Sequence, residues 1–240
     1  MNKRNFLKTI SVSLFAATLS IGLASTALAE EFKEVKVGVV GDYNAQWDTI
    51  NELLAKDKIR VKLVKFSDYA TPNRALADGD LDLNAFQHKA FLANDIQRNG
   101  YKIVSIGDTI ITPLRIYNNK DKVKSLADIK DGAVIAIPEA ESGILARLLP
   151  DFSAALINGG NALTAGLHPS DDAIFSEDIN PKTNPNVGQL VNVIVAREAD
   201  KDNEVYKKIV AAYHTPETAK TIRTAYKGAY ECAWEEAQKY

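Results

Sequence analysis

Phe66-Ser67-Asp68-Tyr69-Ala70-Thr71-Pro72-Asn73-Arg74-Ala75-Leu76, followed by Gly79-Asp80-Leu81-Asp82-Leu83-Asn84-Ala85-Phe86-Gln87-His88, decides how this chain folds. Just before it, Ile59, Val61, Leu63 and, after a phase slip, Phe66 alternate as strand residues do. Asp68 to Pro72 reads as a loop whose proline opens a helix through Arg74 and Leu76. Asp78-Gly79-Asp80 is a turn, Leu81 to Ala85 a strand, and His88 to Arg98 a helix stopped by Asn99-Gly100. Working outward, Val35 to Val40 is a short buried strand, and Trp47, Ile50, Leu53 and Leu54 recur at helical spacing. Tyr101 to Ile106 and Ile110 to Tyr117 read as further strands. The order β-α-β-α-β-α-β predicts an α/β sandwich with mainly parallel strands.

The later half is less regular. Ser125-Leu126-Ala127-Asp128 has the form of a capping box. Ala133 to Ile137 and Phe152 to Ile157 are predicted strands, with one or two helical turns over Ile144 to Leu149 and a short helix over Asn161 to Ala165. Ser170 to Pro185 is polar and reads as irregular, and Val191 to Val195 as a buried strand. Two helices close the chain, Asn203 to Tyr213 and Pro216 to Tyr230, the second with Thr215 as N-cap before Pro216.

The composition is that of an ordinary globular protein: 240 residues, 46% hydrophobic, 25% charged, net charge -2. No basic surplus points to nucleic acid or to an anionic membrane surface. The single Cys232 excludes an intramolecular disulfide and any multi-cysteine metal site. Lys3, Arg4 and Lys8, the apolar run Ile10 to Leu23 and then Ala27-Leu28-Ala29 form a secretory leader, expected to be cleaved after Ala29. Glu30 and Glu31 stand where a lipid-bearing cysteine would follow the cut, so no lipid anchor is expected. The expected location is the periplasm or the medium. Met1 is the only methionine, which fits a protein made when sulfur amino acids are scarce, or simple drift.

Catalytic chemistry finds little support. His88, His168 and His214 have no second ligand at metal spacing. Glu141-Ser142-Gly143 lacks the leading glycine of a nucleophile elbow, and Gly38-Val39-Val40-Gly41 is a weak phosphate signal. A hydrolase would need a nucleophile–base pair that the sequence does not display, so the protein is expected not to be an enzyme and to need no cofactor or metal.

Tyr69, Phe86, His88 and Phe91 stand in or beside strand-to-helix loops, where open α/β sheets bind ligands. Burial tendencies alone would rather make them core. Further along come Lys124-Ser125-Leu126, Ile135-Ala136-Ile137-Pro138, Leu149-Pro150-Asp151, Ala154-Ala155-Leu156-Ile157-Asn158, Ala165-Gly166-Leu167 and Val191-Asn192-Val193-Ile194-Val195-Ala196-Arg197. With these motifs in this order, the sequence resembles the NlpA/MetQ lipoprotein family, the methionine-binding components of ABC importers, from about Lys36 to Tyr230. The resemblance implies a periplasmic-binding-protein fold: two α/β lobes around a ligand cleft. Residues 1–29 would be the signal peptide, 30–113 with 192–240 the first lobe, and 114–191 a shortened second lobe. It implies that Tyr69, Phe86, His88 and Phe91 line the first-lobe side, and that Asn158 and Asn192 meet the amino acid's ammonium and carboxylate. It also implies a monomer that delivers methionine to a membrane permease. Rival ligands are another amino acid or a Met-containing dipeptide; a rival role is a non-transport interaction protein.

The pattern breaks after Ile137-Pro138. Glu139-Ala140-Glu141-Ser142-Gly143 stands where the family has an Asn-Asp loop and then a helix with a carboxylate-binding arginine. A few dozen residues of the second lobe are expected to be missing. Arg147 aligns better with a different family arginine and Arg115 sits in the strand that crosses between lobes, so neither takes over that role by alignment; either another cation such as Arg147 fills the gap in a compact variant, or the chain is a degenerate copy that binds poorly.

Overall fold

The structure, a computed structural model, describes residues 31–42, 44–119, 123–137, 145–180 and 182–234. The leader and the Glu139–Gly143 loop lie outside the described residues.

The chain runs β1 (Lys33–Val40), α1 (Gln46–Leu54), β2 (Ile59–Phe66), α2 (Thr71–Asp78), β3 (Leu83–His88), α3 (Lys89–Asn99) and β4 (Ile103–Ile111). It then crosses to β5 (Arg115–Asn118), β6 (Ile135–Ala136), α4 (Leu145–Leu148), β7 (Ala154–Ile157), α5 (Gly159–Thr164), α6 (Pro169–Asp172) and β8 (Ala173–Ser176). It returns through β9 (Val191–Arg197) to α7 (Glu204–Tyr213), α8 (Pro216–Tyr226) and β10 (Glu231–Cys232).

Two sheets result. The first has six strands in the order β10-β4-β9-β3-β1-β2, and the second four, β6-β7-β5-β8. β1 pairs in parallel with β2 and β3, as the alternation of strands and helices predicts. β9 then inserts between β3 and β4 and runs antiparallel to both. It does so because it comes back from the second sheet rather than over a crossover helix.

β9 also shows how the first sheet is covered. Val193 and Val195 pack with Leu76 of α2 and Leu92 of α3. The alternate residues Ile194 and Ala196 pack on the other face with Trp47 and Ile50 of α1, Tyr206 and Ile209 of α7 and Ile222 of α8. A sheet with helices on both faces needs strands that are apolar on both sides, and Val191–Arg197 is such a strand.

Several element boundaries differ from the sequence reading. The predicted strand Ile110 to Tyr117 is broken: β4 ends at Ile111 and β5 starts at Arg115 in the other sheet. Pro113, which has no N–H to donate, stands in the break. The segment read as irregular holds α6 and β8, whose Ala-Ile-Phe triplet was the apolar signal. The last helix stops at Tyr226, where Lys227 turns left-handed, φ 45°. Thr215 caps α8 through the N–H of Thr218, and Asp128 closes the predicted capping box on the N–H of Ser125 at 2.9 Å.

The second sheet has a small core of Tyr117, Ala136, Leu149, Ala155, Ile157 and Ala162. Among the described residues, every large exposed apolar side chain belongs to this half: Leu126, Val134, Ile135, Ile137, Leu148 and Phe175. Ile137 is 64% exposed and Val134 59%, both beside the edge strand β6.

Candidate ligand-binding site

The first-lobe side is built on three local devices. After β2, the Asp68 carboxylate accepts hydrogen bonds from the N–H groups of Ala70 (2.9 Å) and Thr71 (2.7 Å) and from the Thr71 hydroxyl (3.0 Å). The bonds from Thr71 hold the Asp68 carboxyl below the usual carboxylate range. Aspartate closing a turn in this way fixes the loop that carries Tyr69.

The second device is a bulge. Asn84 pairs with Val195 of β9 but Gln87 with Val193, so β3 carries one residue more than its partner there. Strict alternation would put Asn84 and Gln87 on opposite faces. The extra residue puts both on the buried side, where they join Asn73. Asn73 donates to Gln87 Oε1 and to Asp95, each at 2.8 Å, and Asn84 donates to Asn73 Oδ1 at 2.9 Å. Gln87 donates to Asn73 Oδ1 at 2.6 Å and to Asn84 Oδ1 at 3.1 Å. All three amides are buried, and the network leaves Phe86 and His88, both half-buried, for the other side.

The third device is the start of α3. His88 caps it, its Nδ1 accepting from the N–H of Phe91 at 3.1 Å. A ring nitrogen that accepts must be unprotonated, so the neutral ring carries its proton on Nε2. Burial pushes the His88 pKa down from its ordinary 6.5, and the carboxylate of Glu177 opposes that shift in part.

These devices bring the four rings together. Tyr69 and Phe86 stack with centroids 6.3 Å apart, and Phe91 meets Phe86 edge-on at 6.0 Å and His88 at 6.4 Å. All four are half-buried, and none belongs to either apolar core of the first sheet. The expectation from burial tendency, that they complete the core, is therefore corrected. Asn192 of β9 lies directly opposite His88 in the β3–β9 register.

Asn158 comes from the other half. It precedes α5 with extended backbone, and its side chain does not cap that helix. A Cβ on the next residue, Gly159, would lie 3.1 Å from Thr112, 3.3 Å from Tyr230 and 3.4 Å from Ala229. Asn158 thus stands where the chain crosses between the sheets.

The crossover also fixes two charged groups. Arg115 is buried and donates to the carbonyls of Gly228 (2.9 Å) and Ala229 (3.3 Å). Its guanidinium ties β5 to the C-terminal segment. Arg147 is exposed on α4. Glu177, just past β8, is bound to Leu114 twice: its N–H donates to the Leu114 carbonyl (2.8 Å), and its Oε2 accepts from the Leu114 N–H (3.1 Å). The sequence reading missed Glu177. Its signal was an acid two residues past the apolar triplet Ala173-Ile174-Phe175.

Two surface cavities lie elsewhere. One of about 480 Å³ is lined by Asn118, Lys124, Ser125, Asp171, Asp172 and Ile174, and another of about 310 Å³ by Ile106, Lys201, Lys207, Val210 and His214. Neither touches the six predicted site residues. His168 is exposed, and His214 bonds the Asp108 carbonyl at 2.6 Å and stacks on Trp234. Among the described residues, no cluster of three or more His, Cys, Asp or Glu could hold a metal ion, and no helix is long and apolar enough to cross a membrane.

The sequence matches the family model described as NlpA lipoprotein over residues 35–143 and 139–234. It is 32% identical over 278 residues to the D-methionine-binding lipoprotein MetQ of Yersinia pestis, covering 95% of this chain and 98% of that protein. Among solved structures it is similar to a nutrient-binding protein from Burkholderia cenocepacia bound to methionine, at 31% identity and a TM-score of 0.75, covering 83% of this chain and 99% of that one. It is also similar to the substrate-binding protein of a methionine transporter from Streptococcus pneumoniae, at 29% identity and a TM-score of 0.75, covering 84% and 96%. An alignment of 278 residues is longer than this 240-residue chain, so the Yersinia relative carries residues with no counterpart here, and the two matched segments meet at residues 139–143. The motifs, the two α/β lobes and a match that runs nearly end to end lead to one conclusion: the chain belongs to the NlpA lipoprotein family.

Proposed function

We propose that this protein is the extracytoplasmic solute-binding component of an ABC importer, that its ligand is methionine, and that it hands the ligand to a membrane permease without any reaction. The observation that carries the reading is the ring cluster Tyr69–Phe86–Phe91–His88 with Asn192 in register beside it. Rings meeting edge and face offer a polarizable wall to a thioether, a contact worth about 0.3–1.5 kcal/mol for each sulfur–ring pair. The amides of Asn158 and Asn192 offer carbonyl oxygens to an ammonium and N–H groups to a carboxylate. The family membership and the methionine bound in the Burkholderia relative support the same ligand.

In this reading the leader is removed after Ala29 and the mature chain works in the periplasm as a monomer without a lipid anchor. Intact-mass measurement of the exported protein tests this: a chain beginning at Glu30 with no added mass is expected, and an acylated or uncut chain contradicts it. Residues 30–113 with 192–240 make one side of the cleft and 114–191 the other. A thermal-shift screen over the amino acids and Met-containing dipeptides tests the ligand. Methionine should give the largest rise in Tm. A larger rise with another compound would transfer the assignment to it, and no rise with any would favour a role in protein interaction.

A further inference from the structure

We propose that Glu177 is the ligand's ammonium partner, so that the site selects for the positive end of a methionine-like compound and tolerates loss of its carboxylate. This rests on the binding role proposed above. The strand ends place Glu177. His88 stands opposite Asn192 on β9, the adjoining Val191 stands opposite Ile111 on β4, and Leu114 follows three residues on. Glu177 is bound to Leu114 through both its backbone and its carboxylate, which fixes the acid at the crossover, just past the end of β4. One carboxylate oxygen holds the Leu114 N–H, and Oε1 makes no hydrogen bond among the described residues. The field of this carboxylate reaches the His88 ring.

Among the described residues, neither arginine of this half is placed to serve an anion in this way. The Arg115 guanidinium is committed to two main-chain carbonyls, Arg147 is exposed on α4, and the sequence from Pro138 to Ile144 contains no basic residue. His88 accepts a hydrogen bond through Nδ1 and is biased toward its neutral form. A desolvated carboxylate needs a cation or several N–H donors, whereas an ammonium needs oxygen acceptors. The fixed charge at this site is negative, so the ammonium gains the charge-assisted contact and the carboxylate meets amide groups and water.

Three compounds separate the two ends: methionine, methioninamide (ammonium kept, carboxylate removed) and N-acetylmethionine (carboxylate kept, ammonium removed). Calorimetry on the mature protein should give methioninamide an affinity within about threefold of methionine, and N-acetylmethionine at least about tenfold weaker, as loss of a charge-assisted bond requires. Glu177→Gln retains an acceptor for Leu114, so its Tm should stay close to wild type while the advantage of methioninamide over N-acetylmethionine disappears. The Glu177 assignment is overturned if N-acetylmethionine binds as methionine does, if methioninamide is silent, or if Glu177→Gln leaves the ratio unchanged. If none of the three compounds binds the wild-type protein, the methionine reading itself falls and this assignment falls with it.

Discussion

Phe86 touches both Tyr69 and Phe91, and it does so from a position that is not part of either apolar core. Phe86→Ala should therefore weaken methionine binding at least about tenfold, the loss expected for about 1.4 kcal/mol of contact. It should lower Tm far less than a core truncation such as Trp47→Ala, which removes a fully buried ring at a cost of about 3–5 kcal/mol. Calorimetry and thermal melts on the two variants check the contrast, and Asn192→Ala should behave as Phe86→Ala does. His88 adds a pH dependence. Its pKa in the folded chain lies below its ordinary 6.5, so below pH 6.5 the unfolded chain binds more protons than the folded one. The stabilisation from the neutral ring is complete above 6.5 and is lost as pH falls through the lowered folded value. The stability of wild type relative to His88→Gln, measured by urea unfolding, should thus decline from pH 7 toward pH 5. A difference that grows over that range would contradict the neutral, Nδ1-accepting ring.

At the scale of elements, the bulge in β3 and the amide network beneath it set the position of the rings. Asn73→Ala leaves the groups of Asn84 and Gln87 that it satisfied without a partner in a buried site. A buried unsatisfied polar group costs about 1–3 kcal/mol, so urea unfolding should show a loss of that size. Methionine affinity should fall as well, although the hydrogen bonds of Asn73 go to Asn84, Gln87 and Asp95 rather than to the rings. Much of this half was legible beforehand. β1 to β3 and their helices are marked by apolar runs, by Pro72 in the first turn of α2 and by Gly100 after α3. The four rings were legible because one short stretch carries them all. The bulge, the shared face of Asn84 and Gln87 and the commitment of Arg115 were not, because each depends on a strand or loop distant in sequence. The positions of Asn158 and Asn192 came from family resemblance rather than from local pattern. β8 and β10 are four and two residues long, too short for periodicity to mark them.

Across the whole molecule, the two halves differ in how much they bury. The first sheet is covered on both faces, while the second exposes Val134, Ile135, Ile137 and Phe175 on or beside its edge strands β6 and β8. The Yersinia relative is aligned over more residues than this chain has, and the family match breaks at residues 139–143, which follow Ile137 closely in sequence. Few buried apolar contacts mean low local stability. Amide hydrogen exchange should therefore be faster over residues 115–118 and 154–157 than over 33–40 and 191–197, and methionine should slow it in the second sheet more than in the first. Equal protection in both sheets without ligand would contradict this picture. The claim on which the rest depends is that the half-buried rings and the crossover around them hold methionine. Its most direct test is mass spectrometry of small molecules released on denaturing the purified mature protein. Free methionine in near-equal amount to protein is expected; a different bound metabolite, or none together with no calorimetric response to added methionine, would contradict the methionine assignment.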